Sequence, residues 1–283
     1  GLAGDALTDA DFNVAIGTAS LSADTLGSKT VAIGTGALQT QNFTTATDTF
    51  NTAVGYLAGS AVTTGIKNTI VGANAGDAIT TANKTTLFGY NTGTGITTGT
   101  DNTLIGADVG VNINTGKNNI LVGGSVVGVA GGTGEALTTG HSNVAIGSGA
   151  LKLEDTGRKS VAIGYLALAT QNGDADNNNV AVGFEAGKAV NTGASNTFVG
   201  KSAGTGCQAN GGNTMVGANA GPVILGSNNT GVGTGCLTAL TGATNTALGA
   251  SSGIQITSGD QNVMIGAESG RANHPGGAVT TAD

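Results

Sequence analysis

Apolar and polar positions along this chain recur with a period much longer than that of a helix or a single strand. The glycine that closes each apolar triplet (VAI, TIV, TLI) serves as an anchor, and the anchors fall at Gly17, Gly34, Gly55, Gly72, Gly89, Gly106, Gly123, Gly147, Gly164, Gly183, Gly200, Gly217, Gly233, Gly249 and Gly266. Their separations are 17, 21, 17, 17, 17, 17, 24, 17, 19, 17, 17, 16, 16 and 17 residues, so a unit of about 17 residues occurs fifteen times. Aligned on the anchor, the preceding residue is always Ile, Val, Leu or Phe, the residue three before is β-branched, and the residue four before is usually Asn. Three after stands a small residue; four after, Gly or an aliphatic residue, mostly Leu; seven after, an apolar residue in many units, such as Val62, Ile79, Ile96 and Ile113. A polar turn of the type TTG or NTG then closes the unit. The pattern predicts two short strands and two turns per unit.

β-branched residues at alternate positions favour extended backbone, and glycines admit turns at positive φ. A helix interrupted by Gly every four residues loses about 1 kcal/mol at each. Helical repeats are also longer than this unit. The expected fold is therefore all-β, a parallel β-solenoid of about 15 coils with ~17 residues per coil, each coil unable to bury its apolar face until the next stacks on it. Residues 1–12 read as an N-terminal cap or connector, 13–270 as the repeat domain and 271–283 as a C-terminal connector. The Ile and Val beside the anchors are expected to fill the coil interior, and the recurring Asn (Asn51, Asn68, Asn102, Asn119 and their equivalents) to form an amide ladder. Two before the anchor, on the opposite face of the strand, the residue is Ala or larger and apolar in all units but that of Gly231, among them Ile70, Leu87, Leu104, Leu121, Phe198, Met215, Met264. A strand apolar on both faces is covered on both, which predicts a closed cyclic oligomer with the coil axis as its symmetry axis.

Composition narrows the class. Glycine makes up 52 of 283 residues, charged residues 10 % and aromatics 3 %, with 2 Pro and a hydrophobic share of 39 %. That excludes a disordered tail and, lacking a three-residue glycine period, collagen. The net charge of −7 argues against nucleic acid or an anionic membrane as partner. No apolar run approaches the length of a membrane span and no signal peptide is visible; a chain starting at Gly1 reads as a processed or partial product. Two cysteines are too few for a disulfide scaffold.

The pentapeptides NVAIG (13–17 and 143–147), TVAIG (30–34), SVAIG (160–164) and NVAVG (179–183) resemble the head repeat of trimeric autotransporter adhesins. That resemblance implies a left-handed parallel β-roll, a homotrimer and attachment to host surfaces. The adhesin repeat is nearer 14 residues, and this chain shows no stalk heptads or membrane anchor. The 17-residue form NTAVGYLAGSAVTTGIKNTIVGANAG (51–76) is more similar to arrays in bacteriophage tail and virion fibres, in which a cleaved C-terminal chaperone often follows; nothing after Arg271 resembles one. The resemblance implies a virion fibre whose partners are its own copies, other fibre or baseplate proteins, and a host glycan or protein receptor. A bacterial surface adhesin head is the second reading.

Side chains that could carry chemistry are sparse. His141 and His274 lie beside breaks in the repeat and read as solvated. VGKS (199–202) lacks the first glycine of a phosphate loop, Ser195 standing there, and GTGITTG (93–99) is followed by no helix pattern. Cys207 and Cys236 occupy different columns and read as small core residues. The acidic residues do not repeat as in calcium β-rolls, and the loop GDADNNN (173–179) reads as a solvated turn, with a single bound ion as the sharper alternative. Threonine pairs hint at an ice-binding face but sit in turns and lapse in many units. A β-helix glycosidase or lyase needs longer coils and a carboxylate pair, and none is identifiable. No catalytic residue, cofactor or metal site is expected. The insertions after Gly34, Gly123 and Gly164 read as adjustments of the stack or as loops that carry receptor contacts, and the aromatics following the anchors as packing at a chain interface or as receptor contacts. The candidates are Phe43, Phe50, Tyr56, Tyr90, Tyr165, Phe184 and His141.

Overall fold

The computed structural model describes residues 1–124 and 131–271. His274, most of the C-terminal connector and part of the insertion after Gly123 lie outside the described residues. The chain is an all-β parallel β-solenoid of about 14 turns with about 17 residues per turn, and no helix occurs among the described residues. It divides into two compact units, Gly1–Asn143 and Val144–Asp283. In the first, β1 (Val14–Ile16), β3 (Val31–Ile33), β5 (Thr52–Val54), β6 (Thr69–Val71), β7 (Thr86–Phe88), β8 (Thr103–Ile105) and β9 (Ile120–Val122) pair in parallel in that order. The two-residue strands β2 (Gly27–Ser28) and β4 (Thr47–Asp48) make a separate pair. In the second unit β10 (Val144–Ile146), β11 (Val161–Ile163), β12 (Val180–Val182), β13 (Thr197–Val199), β14 (Thr214–Val216), β15 (Thr230–Val232), β16 (Thr246–Leu248) and β17 (Val263–Ile265) stack likewise. Register places equivalent repeat positions side by side, as in Ile70 against Leu87 and Phe198 against Met215. Residues 1–12 continue the stack, Gly4 N–H donating to the Ser20 carbonyl and Thr8 N–H to that of Thr25.

The strands are only three residues long because the anchor glycine ends each one. At Gly72 φ is +140°, a conformation reserved for glycine. A Cβ there would also overlap the Gly89 peptide, with the Gly89 carbonyl carbon 2.6 Å away. The chain then turns through left-handed corners, for example at Asn74 (φ 55°) and Gly76 (φ 55°), and again at Lys67 (φ 61°), five before the anchor.

The interior inverts one expectation. The middle strand residue, not the Ile or Val beside the anchor, points inward: Ile70, Leu87, Leu104, Leu121 and Phe198 are fully buried, whereas Phe88, Ile105, Leu248 and Ile265 are exposed. The corner forces this. The small residue three after the anchor (Ala58, Ala75, Ala186) and the apolar residue seven after (Val62, Ile79, Val190) are buried. They face the middle strand residue, so alternation sends its two neighbours outward. Burying such an Ile or Leu contributes on the order of 1.5 to 3 kcal/mol.

Interior volume is balanced between the middle strand residue and the corner of the same or a neighbouring turn. Beside Ile70, Leu87, Leu104, Phe198 and Met215 the position four after the anchor is glycine, and a Cβ at Gly76 would lie 2.6 Å from Leu87 Cδ1 of the next turn while one at Gly204 would enter the Phe198 ring. Where the middle residue is Ala32, Ala145 or Ala162, that position is a buried leucine, Leu38, Leu151 or Leu168. Close packing tolerates one or the other and not both.

The asparagine column from Asn51 onward is buried and bonded from turn to turn. Asn68 Nδ2 donates to the Ala82 carbonyl (2.9 Å), while its Oδ1 accepts the Thr85 N–H (3.0 Å) of the next turn. The same relay runs through Asn196, Asn213, Asn229, Asn245 and Asn262. Asn262 Oδ1, the last acceptor of that column, is the one buried side-chain polar atom without a partner among the described residues.

Two glycines separate strain from collision. Gly266 also has positive φ (116°), yet a Cβ there would meet nothing within 4 Å. Gly266→Ala should lose about 1 to 3 kcal/mol from backbone strain alone. Gly72→Ala adds the overlap with the Gly89 peptide and should lose clearly more, as read from denaturant unfolding of the two variants side by side.

Candidate interaction surface

Two outward columns flank the buried middle residue of each three-residue strand from β3 onward. The column beside the anchors carries Ile16, Ile33, Val54, Val71, Phe88, Ile105 and Val122 in the first unit, and Ile146, Ile163, Val182, Val199, Val216, Val232, Leu248 and Ile265 in the second. Phe88 is 57 % and Ile265 69 % exposed. The other column carries Thr or a β-branched aliphatic at each turn, among them the exposed Val14, Ile120 and Val263. Each unit thus presents a stripe that is apolar at every turn.

The aromatic candidates divide by what covers them. Tyr56 (56 %) and Tyr90 (58 %) immediately follow their anchors beside the apolar stripe and are exposed. Tyr165 and Phe184 occupy the same column on successive turns and stack, centroids 5.2 Å apart at 17°; each shields one face of the other. Phe50 is half exposed, and Lys29 Nζ lies 5.2 Å from its ring centroid while pairing with Asp48 at 2.6 Å. His141 is half-buried, its Nδ1 3.3 Å from Ser142 Oγ. Phe43 departs from its expected role: it is 7 % exposed, folded under its insertion, and presents no surface to a receptor.

Beneath two of the period breaks lie polar clusters that the repeat pattern conceals. Seven after the anchor, where other turns bury an apolar residue, the first unit buries Asp24 and Gln41 and the second Glu154 and Gln171. Asp24 accepts the backbone N–H of Gly27 (3.0 Å) and Phe43 (3.1 Å) and the Gln41 amide (2.6 Å), and Gln41 in turn accepts from Asn51 (2.8 Å). Glu154 accepts the Gly157 N–H (2.7 Å), the Gln171 amide (2.7 Å) and the Asn177 amide (2.9 Å), while Gln171 accepts from Asn179 (2.8 Å). The two insertions are pinned to the stack by these carboxylates, and β4 pairs with β2 to hold the first. A signal was present in the sequence: Asp24, Gln41 and Asn51 stand to Gly17, Gly34 and Gly55 as Glu154, Gln171 and Asn179 stand to Gly147, Gly164 and Gly183.

No protein family, characterised protein or solved structure matches this chain. The residues alone carry the reading of the remaining candidates. In the GDADNNN loop Asp174 accepts the Thr156 hydroxyl (3.1 Å), and Asp176 pairs with Lys159 (2.5 Å) and Arg158 (3.8 Å). These carboxylates are turned toward protein donors and form no common cage, and no group of three metal-ligating side chains is found among the described residues. Cys207 and Cys236 are free and buried, and burial pushes both thiols up to about 11, which leaves little thiolate at neutral pH. Among the described residues no helix is long and apolar enough to cross a membrane.

Burial raises the Glu154 carboxyl above its ordinary value of 4.5, and hydrogen bonds from Gln171 and Gly157 pull it part of the way back. The folded state therefore binds this proton more tightly than the unfolded chain does, so its contribution to stability is present at pH below 4.5 and is lost as pH rises through the raised folded value. Scanning calorimetry from about pH 4 to about pH 7 should show the unfolding midpoint falling with pH more steeply in the wild type than in Glu154→Gln. Equal slopes would mean that Glu154 does not titrate in this window.

Proposed function

We propose that this chain is part of a non-enzymatic structural and adhesive fibre: a homotrimeric, left-handed β-roll of a bacteriophage tail or virion fibre that spaces or presents host-receptor binding elements. The observation that carries the reading is the outward apolar column repeated at each turn. Isolated exposed apolar side chains are ordinary on a protein surface, but an unbroken series of them is a patch that soluble chains cover. Further copies of the chain, related by rotation about an axis parallel to the stack, bring the same column to the same level at every turn, so one contact repeated along the stack covers it all. Three chains and left-handed winding come from the resemblance of the NVAIG and SVAIG pentapeptides to adhesin heads.

In this reading the protein works mechanically and by multivalency. Three identical edges present three copies of any receptor contact, and avidity multiplies a weak contact without new chemistry. The stack ends meet other fibre or baseplate proteins, and the partner in front is a host glycan or protein receptor. The same pentapeptides at 13–17 and 143–147 favour, as a second reading, the head of a bacterial trimeric surface adhesin.

Light scattering in native buffer should give three times the chain mass of 27.0 kDa, falling to one chain mass after heating in SDS. Phe88→Ser combined with Ile105→Ser should weaken the trimer in native buffer while the far-ultraviolet signature persists, because neither side chain belongs to the coil interior. A wild-type chain that scatters as a monomer overturns the trimer.

A further inference from the structure

The second unit carries a shallow groove of about 380 Å³ lined by Leu153, Thr170, Asn172, Ala189, Asn191 and Gln208. Its lining comes from two columns: six after the anchor (Leu153, Thr170, Ala189) and eight after (Asn172, Asn191, Gln208). The turns bearing the three carboxamides are hydrogen-bonded in sequence, Asn172 N–H to the Asn191 carbonyl (3.0 Å) and Asn191 N–H to that of Gln208 (2.8 Å). The three amides therefore follow one another at the strand spacing of about 4.8 Å.

These amides differ from their counterparts. In the same column of the first unit, the Thr63 and Thr80 hydroxyls donate to the carbonyls of Thr80 and Thr97, and the side-chain oxygens of Asn42 and Asn114 accept from Thr25 and Thr97. That column spends its hydroxyls and two amide oxygens along the stack and leaves only the Asn42 and Asn114 amide N–H groups. The side-chain amides of Asn172, Asn191 and Gln208 are exposed and make no hydrogen bond within the chain. Each offers one acceptor oxygen and two N–H donors, and none is an ionisable group. Leu153, exposed at one end, supplies an apolar surface.

We propose that this groove is a binding site for an uncharged oligosaccharide, a reading that rests on the receptor-presenting function above and names its ligand class. Vicinal hydroxyls donate and accept at once, as carboxamides do, and a row of them at regular spacing meets successive sugar units. Leu153 and Ala189 pack against the C–H faces. The lining holds no cation to favour an anionic sugar, and no deep apolar recess to take the side chains of a peptide.

The test is a glycan array probed with the full chain, carrying uncharged gluco-, galacto- and manno-oligosaccharides beside sialylated and sulfated ones, followed by calorimetric titration with the best uncharged probe. Saturable binding of an uncharged oligosaccharide is expected, weakened at least tenfold in the double variant Asn172→Ala, Asn191→Ala and measurably in Gln208→Ala. The thermal midpoint should be unchanged, since these amides hold nothing in the fold. Binding of anionic glycans or peptides alone, of no glycan at all, or with undiminished affinity in the double variant overturns the site. A monomeric chain that still binds the oligosaccharide through these residues would sink the trimeric fibre and leave the groove standing; a trimer that binds no uncharged glycan would do the reverse.

Discussion

The fold depends on how closely one turn can approach the next. Parallel strands pair at about 4.8 Å, and the peptide of each anchor glycine lies against that of the anchor one turn on, as Gly72 lies against Gly89. At anchors with a turn stacked beyond them, such as Gly72, a Cβ would both require a forbidden φ and occupy the space of the neighbouring carbonyl. Everything else follows from keeping this approach. The anchor ends the strand after three residues, the next few residues turn through left-handed corners, and backbone N–H groups donate to the turn above or below because no helix or hairpin partner is within reach. The asparagine column extends the same logic to a buried corner, where an unsatisfied N–H or carbonyl would cost about 1 to 3 kcal/mol.

Within that frame each turn has a fixed interior to fill. Most turns fill it with a large middle residue and glycine four after the anchor, as in Leu87 with Gly93, or with alanine and leucine, as in Ala162 with Leu168; turns small at both positions, as Ala181 with Gly187, are filled by Leu168 and Phe198 of their neighbours. In four of the leucine turns the residue seven after the anchor turns polar, and the resulting Asp24–Gln41 and Glu154–Gln171 pairs hold the adjoining insertions. The breaks after Gly34 and Gly164 are therefore built into the stack through buried hydrogen bonds. They are not loops hung on an indifferent scaffold.

The period, the strand class and the asparagine relay were legible from position alone, because each column repeats its chemistry many times. Which strand face points inward was not. Alternation separates faces only when one is polar, and here the middle residue and its neighbours are both apolar; the corner decided it by placing Ala75 and Ile79 opposite Ile70. Phe43 misled for a related reason. An aromatic in an insertion looks exposed until the buried Asp24, which takes the Phe43 N–H, is seen to draw that backbone inward. The free carboxamides gave no signal, since Asn172 and Asn42 are the same residue in the same column and differ only in whether a neighbouring hydroxyl engages them.

A solenoid of this kind separates stability from recognition by column. Inward positions and anchors are constrained at every turn, so variation there costs packing or backbone strain. Outward positions eight after the anchor are free of that constraint, and different turns use the freedom differently. Some close the column with threonine hydroxyls bonded along the stack, Thr63 to Thr80, Thr80 to Thr97 and Thr241 to Thr257. Others leave Asn172, Asn191 and Gln208 open to solvent at nearly the same backbone geometry. Hydroxyls spent on the neighbouring turn cannot bind anything else, whereas amides left unpaired must bond to water or to a ligand. Recognition in such a fibre is then written by substituting one outward column over a few successive turns, without touching the contacts that hold the turns together.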